Sequence, residues 1–498
     1  MSLERQTVKI AACTLILLLS ISTNSRAQTA PATSQQIDQV LQQIEILNGS
    51  LRDMRNELDT SRAEIRELKS TVEALEARLA KESSANSVPS GEPPVTRDDV
   101  QILTERVEEH QQTKVESASR FRVKLSGMVL LNAFSNFGQV DNIDLPSIAL
   151  PHVPGTPDGS TGASMRQSIV GITGFGPELL GARTSADLQM DFFGGFPPGY
   201  NGISSGIVRL RIARLRFDWP KTSLVGGIDI PFFSPNSPTS YATVGEPAMS
   251  STGNLWAWNP SIRVEHHFDY ENSRWKVEAG VFDPSGYAGY APQMRYPTAG
   301  ESSRQPAYAV RVSGSHGESE HEFTIGVAGL FTPLHFYSGP KVNGAGVMAD
   351  WQAPLGQHLQ LNGEFFSGKG LQAFGGVPYS MVSAQDELHY LTITAPLLAG
   401  VGEIGGWSQL KLKLNSKQEF NVAAGYGGYN SSELRELGTY DYYANSLITR
   451  NESVMVNYIL RPRSDLLLSA EYRRLRTSPV RGTNATADQV GLAAGFLF

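Results

Sequence analysis

Apolar and polar side chains alternate with a period of two over most of the chain after residue 120, and this pattern predicts β-strands. In SIRVEHHFDY, for example, Ile262, Val264 and Phe268 alternate with Arg263 and Glu265. Sixteen such segments can be counted, near 120–136, 164–176, 182–193, 206–219, 223–232, 259–270, 273–282, 304–316, 320–331, 343–353, 357–367, 403–414, 417–427, 446–460, 464–476 and 487–498.

The connections between these segments alternate between short and long. The short ones include PKT, ENS, PLGQ and RPRS, whereas long ones such as 233–258 and 368–402 are rich in Gly, Pro, Ser and Tyr. Short turns at one end and long loops at the other are typical of an outer-membrane barrel, whose strands of about ten residues cross an apolar band of about 25 Å. The pattern therefore predicts an all-β protein, a sixteen-stranded antiparallel transmembrane β-barrel over residues 120–498.

A different period precedes the barrel. Apolar residues step by three and four over six heptads, which predicts an α-helical coiled coil over 34–82. One set of heptad positions comprises Ile37, Ile44, Leu51, Leu58, Ile65, Val72 and Leu79, and the other Val40, Leu47, Met54, Ser61, Leu68 and Leu75. The sequence predicts a linker over 83–97 and a short helical segment over 98–119. Residues 1–27 have the charged start and apolar core of a signal peptide.

The predicted strand RLRIARLRFDW contains the most unusual charge pattern of the chain. Its arginines share one face, with a one-residue slip after Ala213 that a β-bulge would produce. The opposite face then carries Leu210, Ile212, Leu215, Phe217 and Trp219, which we expect to contact lipid. The four charged residues form an arginine ladder facing the lumen: Arg209, Arg211, Arg214 and Arg216.

Further charged positions are predicted to line the same lumen. The full set of channel-lining candidates adds Arg183, Asp187, Asp191, Arg263, Lys411 and Lys413 to the ladder. Fixed charges in an aqueous channel determine which ions pass. Two interpretations remain open, because the arginines either attract anions or form an ion-pair network with Asp187 and Asp191 that supports the wall.

Composition narrows the possible functions. The formal net charge is −7, which argues against general nucleic-acid binding, and Cys13 in the signal segment is the only cysteine. After the signal segment there is no apolar run of 18 residues, so helical membrane spans are not expected. No motif indicates a catalytic residue, a metal site or a cofactor. The predicted partners are therefore a lipid bilayer and small-molecule solutes.

The last strand, DQVGLAAGFLF, places Val490, Leu492, Phe496 and Phe498 on one face. An alternating apolar strand that ends in Phe resembles the assembly signal of bacterial outer-membrane proteins. Phe496 and Phe498 are therefore predicted to be recognised by the outer-membrane assembly machinery.

Taken together, the heptads of 37–79, the segments RFRVKLSGMVLLNAF, RLRIARLRFDW and LWAWNPSIRVEHHF, and Phe498 resemble the trimeric outer-membrane porins of the DcaP-like type, which are related in layout to phosphate-selective porins. The resemblance implies a homotrimer with a periplasmic coiled coil, passive uptake of small and often anionic solutes, and a third external loop, here 233–258, that folds into the pore. Two alternatives remain: a barrel that anchors a functional coiled coil to the envelope, and an outer-membrane barrel enzyme.

Overall fold

The chain folds into a closed antiparallel β-barrel. The computed structural model describes residues 122–195, 206–270, 273–284, 297–317, 322–335, 341–371, 374–378, 400–437 and 448–498. Within these residues, strands that are neighbours in sequence pair with one another, and the last strand pairs with the first. The predicted fold is confirmed.

The bounds of the wall strands agree with the alternation pattern to within a few residues at most ends. They are β1 (Arg122–Phe137), β4 (Gly159–Ser164), β5 (Ile169–Phe175), β6 (Arg183–Asp191), β7 (Arg209–Asp218), β8 (Thr222–Asp229), β9 (Asn259–Tyr270), β10 (Ser273–Phe282), β11 (Ala307–His316), β12 (Phe323–His335), β13 (Lys341–Pro354), β14 (Leu359–Lys369), β15 (Gly402–Asn415), β16 (Gln418–Tyr429), β17 (Ile448–Arg463), β18 (Leu466–Pro479) and β19 (Ala485–Leu497).

The second wall strand is interrupted, so β4 and β5 together count as one and the described wall has sixteen strands. β1 pairs with β5 through residues 122–128 and with β4 through residues 132–137. Residues 165–168 form the break, and there a side chain replaces the backbone partner of β1. The amide of Leu130 donates to Ser168 Oγ at 2.9 Å. The sequence pattern predicted only the β5 half.

Small elements lie in the long loops. The first loop holds a hairpin of β2 (Gln139–Val140) and β3 (Ala149–Leu150), and two short helices are α1 (Ala299–Ser303) and α2 (Ser431–Leu437). In the part of the chain that the structure describes, no helix has the length and apolar character needed to cross a bilayer.

Alternation along each strand separates an apolar exterior from a polar interior. In β18 the inward side chains include Glu471 and Arg473, which are buried, whereas Leu468 and Tyr472 are exposed on the outside. Such an outer surface fits lipid rather than water. We refer to the end of the barrel that carries the short turns as the short-turn end, and to the other as the long-loop end.

The predicted signal peptide (1–27), coiled coil (34–82), linker (83–97) and short helical segment (98–119) lie outside the described residues. Those interpretations stay predictions.

Candidate functional site

The arginine ladder lies on the lumen side of β7, and the bulge of this strand occurs at a residue other than the one expected. Gln189 of β6 pairs with Ile212 and Met190 pairs with Leu210, so Arg211 is the extra residue. The slip predicted after Ala213 is therefore wrong in position. One consequence is that Ile212 is 7% exposed and faces inward, whereas Leu210 is 41% exposed and faces outward as expected.

The two ladder arginines nearer the long-loop end, Arg209 and Arg211, are held by the carboxylate of one residue and the indole of another. Arg209 binds Asp191 through two nitrogens, at 2.7 and 3.1 Å, and Arg211 lies 3.4 Å from the same carboxylate. Both guanidiniums lie against the Trp258 ring, at 4.8 and 4.6 Å from its centroid. A cation over an aromatic face is attracted by the ring quadrupole, so Trp258 fixes the two arginines in position.

The two ladder arginines nearer the short-turn end, Arg214 and Arg216, belong to a branched ion-pair network. Arg214 binds Asp187 at 2.8 Å and Asp229 at 3.0 Å. Asp229 in turn binds Arg263 of β9 at 2.9 Å, and Arg263 donates to Glu265 at 2.8 Å. The carboxylates are therefore shared between strands rather than paired one to one.

The same network ends at the short-turn end of β7. Arg216 binds Asp218 at 2.7 Å and Glu265 at 2.9 Å. Five arginines, the ladder plus Arg263, are thus matched by five carboxylates: Asp187, Asp191, Asp218, Asp229 and Glu265. The ladder contributes local fields but no net charge.

Loop 230–258, the third at the long-loop end, folds into the barrel, and we call it the inward loop. Its Thr239 amide donates to Gln409 of β15 at 2.9 Å, and its Ser240 hydroxyl donates to Glu471 of β18 at 2.6 Å. Asn457 of β17 donates to the Thr239 carbonyl at 2.8 Å. These strands lie far around the wall from β8 and β9, so the loop crosses the lumen.

The middle of the inward loop is held at the break in the second wall strand. Gln167 is fully buried there; its amide nitrogen donates to the Ala242 carbonyl at 2.8 Å, and its carbonyl accepts the amides of Val244 and Gly245. Arg209 donates to the carbonyl of Gly245. The loop therefore returns to the wall beside the ladder.

An aromatic cluster fills part of the lumen between the inward loop and the wall. The rings of Phe233 and Phe282 are 5.2 Å apart, and those of Phe233 and Phe374 are 5.3 Å apart. Glu364 of β14 accepts the hydroxyl of Ser234 and, at 2.7 Å, the amide of Asn236. Apolar packing and buried hydrogen bonds together keep the first part of the loop against the wall.

The outlying predicted residues differ from the ladder. Lys411 lies 3.5 Å from Glu419. Arg183 and Lys413 are exposed and have no ion pair among the described residues. Phe496 is exposed on the outer face, and Phe498 exchanges backbone hydrogen bonds with Gly127 of β1 at 2.8 and 3.1 Å.

Several residues that organise the site were not predicted. Asp229, Asp218 and Glu265 complete the ion-pair network. The alternation placed Asp218 on the charged face of β7 and Glu265 on the polar face of β9, but neither was named as a partner of the arginines. Trp258 lies in the segment LWAWNPSIRVEHHF, which contributes to the resemblance, but its contact with the arginines could not be read from that segment. Gln167 carried no sequence signal, because its role depends on contacts between distant segments. Among the described residues no group of His, Cys, Asp and Glu could hold a metal ion.

Comparison with known proteins supports the fold. No family model matches the chain, and no curated protein matches its sequence. Among solved structures, the outer membrane channel DcaP of Acinetobacter baumannii is similar, with 15% identity, 76% of this chain and 99% of that chain covered, and a TM-score of 0.55. The chain has the fold of an outer-membrane channel.

Two further solved structures are similar at lower scores. The anion-selective porin from Comamonas acidovorans has 11% identity, with 76% of this chain and 100% of that chain covered and a TM-score of 0.45. OmpT of Vibrio cholerae in its trimer form has 10% identity, the same coverage and a TM-score of 0.44. The similarity to DcaP, described above, confirms the expected resemblance to DcaP-like channels for the fold.

Proposed function

We propose that the protein is an outer-membrane porin that forms a water-filled channel for passive diffusion of small hydrophilic solutes, with anions preferred. The observation that carries this proposal is the inward loop: it crosses a lumen lined with charged side chains, inside a wall whose outer face is apolar. A channel of this kind needs a wide barrel and a constriction that limits solute size, and sixteen strands provide the width.

Reconstitution into planar lipid bilayers tests this function. Purified protein should give discrete conductance steps, and vesicles that contain it should swell in small sugars but not in large ones. A correctly folded barrel that produces neither steps nor swelling would overturn the proposal.

We propose that the ladder borders the narrow part of the channel. Arg209 contacts both the inward loop and Asp191, and Arg211 lies against Trp258, so these guanidiniums are placed where loop and wall meet. Their charges are balanced by carboxylates on neighbouring strands. The ladder is therefore proposed to orient dipolar solutes through a transverse field, with little effect on total charge.

We propose a homotrimer with a periplasmic coiled coil, on the basis of the heptads of residues 34–82 and the resemblance to trimeric porins. Mass measurement in detergent should give three chains, and removal of 34–82 should weaken the trimer while the barrel stays folded. A full-length protein that is monomeric at every concentration would contradict this.

We propose no enzymatic activity. A barrel phospholipase would need Ser and His on the outer face near the long-loop rim, whereas the hydrogen-bonded Ser273 and His316, 3.3 Å apart, lie at the short-turn end. The anchoring alternative is separated by the conductance measurement, since an anchor has no need of a conducting lumen.

A further inference from the structure

A second group of positive charges lies at the short-turn end of the lumen, and we call its members the mouth cations: Arg122, Lys124, Arg183 and Lys413. Direct partners across an antiparallel pair share a face. Lys124 pairs with Thr173, whose hydroxyl donates at 2.8 Å to lumen-facing Asp187. Lys124 therefore faces the lumen.

The remaining mouth cations face the same way. Arg122 is two residues from Lys124 on the same strand, and its guanidinium lies 5.9 Å from the Phe175 ring of β5. Arg183 is four residues from Asp187 on β6. Lys413 is two residues from Lys411 and pairs directly with Glu419 of β16, which binds Lys411. Alternation along a strand then places each of them on the lumen side.

The mouth cations differ from the ladder in being uncompensated. All four are exposed, and none has an ion pair among the residues that the structure describes. By contrast, every arginine of the ladder lies within 3.4 Å of a carboxylate oxygen.

The acidic residues at the short-turn end do not neutralise the charge of the mouth cations. Glu419 is shared by Lys411 at 3.5 Å and Arg461 at 3.4 Å, so this group has one positive charge in excess. On the described strands at the short-turn end, one inward-facing carboxylate has no ion pair, namely Asp269. The described lumen is therefore neutral at the ladder and positive at the short-turn mouth.

We infer that the mouth cations, and not the ladder, determine the anion preference of the channel, an inference that rests on the proposed porin function. A potential of about one kT per unit charge at the mouth raises the local concentration of monovalent anions about 2.7-fold and lowers that of monovalent cations by about the same factor. The local ratio of anions to cations then changes about sevenfold. Exposed charges act over about 10 Å at 0.1 M salt and about 3 Å at 1 M. The preference should therefore depend steeply on ionic strength. The current should also differ with the sign of the voltage, because the excess found among the described residues lies at the short-turn mouth.

The test is the reversal potential of single channels in a potassium chloride gradient. The variant Arg122→Gln/Lys124→Gln/Arg183→Gln/Lys413→Gln removes the four charges and keeps polar side chains. We expect its chloride-to-potassium permeability ratio to fall several-fold at low salt, to or below one, and its current asymmetry to disappear. The control Arg463→Gln/Asp465→Asn removes one charge of each sign from an exposed ion pair at the short-turn end, outside the ladder, so it should keep the wild-type ratio.

The outcomes separate this inference from the proposed function. Folded wild-type protein that does not conduct refutes the porin proposal. Wild-type channels that conduct without anion preference refute the role of the mouth cations and the anion preference in the proposed function, but leave passive diffusion standing. A quadruple variant that conducts with the wild-type ratio refutes the role of the mouth cations alone. If the quadruple variant does not fold, Arg122→Gln/Arg183→Gln and Lys124→Gln/Lys413→Gln are measured separately, and each should lower the ratio. Unchanged ratios in both would overturn the inference.

Discussion

Asp229 is a buried carboxylate whose removal should destabilise the lumen wall. It is 2% exposed and bridges Arg214 at 3.0 Å and Arg263 at 2.9 Å, and Arg263 itself is only 8% exposed. Breaking a buried ion pair by removing one partner costs about 3–5 kcal/mol, because the remaining charge is left buried without compensation. In Asp229→Asn each arginine keeps a second carboxylate, Asp187 or Glu265, at 2.8 Å. We therefore expect the lower end of that range, about 3 kcal/mol.

The measurement is urea unfolding of the barrel in lipid vesicles, followed by gel mobility of unheated samples. Asp229→Asn/Arg263→Gln should recover part of the loss, since it removes the stranded guanidinium together with its partner. Asp465→Asn is a matched control, because its pair with Arg463 is exposed (70% and 30% for the arginine and the aspartate) and such pairs contribute about 0–1 kcal/mol. A loss below about 1 kcal/mol for Asp229→Asn would refute the conclusion that this carboxylate compensates buried charge.

Three further predictions concern other parts of the barrel. Gly127→Val should reduce the fraction of heat-modifiable folded protein, since a Cβ there would lie 2.6 Å from both the Ile169 carbonyl oxygen and Phe498 Cζ; a normal yield would contradict this packing. Gln167→Ala should increase open-channel current noise, because three backbone groups of the inward loop lose their partner. Gln139→Ala should not, because this half-buried side chain contacts Thr156 and Pro157 of the first loop and not the inward loop. Burial raises the pKa of Glu246 in the inward loop from 4.5 to about 7, although Arg209 opposes the shift. Because the folded loop favours the neutral carboxyl, its packing should weaken as the pH rises from about 4.5 to about 7. Current noise should increase over that window in the wild type and stay constant in Glu246→Gln.

The wall of the barrel could be predicted from sequence because its physical cause is local. Lipid on one side and polar groups on the other impose a period of two, and each short turn marks a reversal. The ladder followed from the same period, and its lumen side is what the structure has. There are two exceptions to the regular pairing of backbone groups. At Arg211 one extra residue is inserted, and at 165–168 a side-chain hydrogen bond replaces a backbone one.

The site could be predicted only in part because its partners are distant in sequence. The arginines were identified, but whether they are free or paired depends on Asp229 and Glu265 on other strands. The path of the inward loop depends on Gln409, Asn457 and Glu471, which are polar residues on inward faces like many others. No local pattern distinguishes a residue that anchors a loop from any other lumen residue, because the contacts of the network join segments that are distant in sequence.

The contacts of the inward loop also constrain how the molecule can be made. Ser240 and Glu471 are separated by 231 positions along the chain, and Thr243 and Arg473 by 230. The loop therefore cannot complete its contacts until β17 and β18 have formed. This imposes an order on biogenesis, and long-range pairings of this kind make folding slow. The loop that crosses the lumen takes up its final position only together with the last strands of the wall.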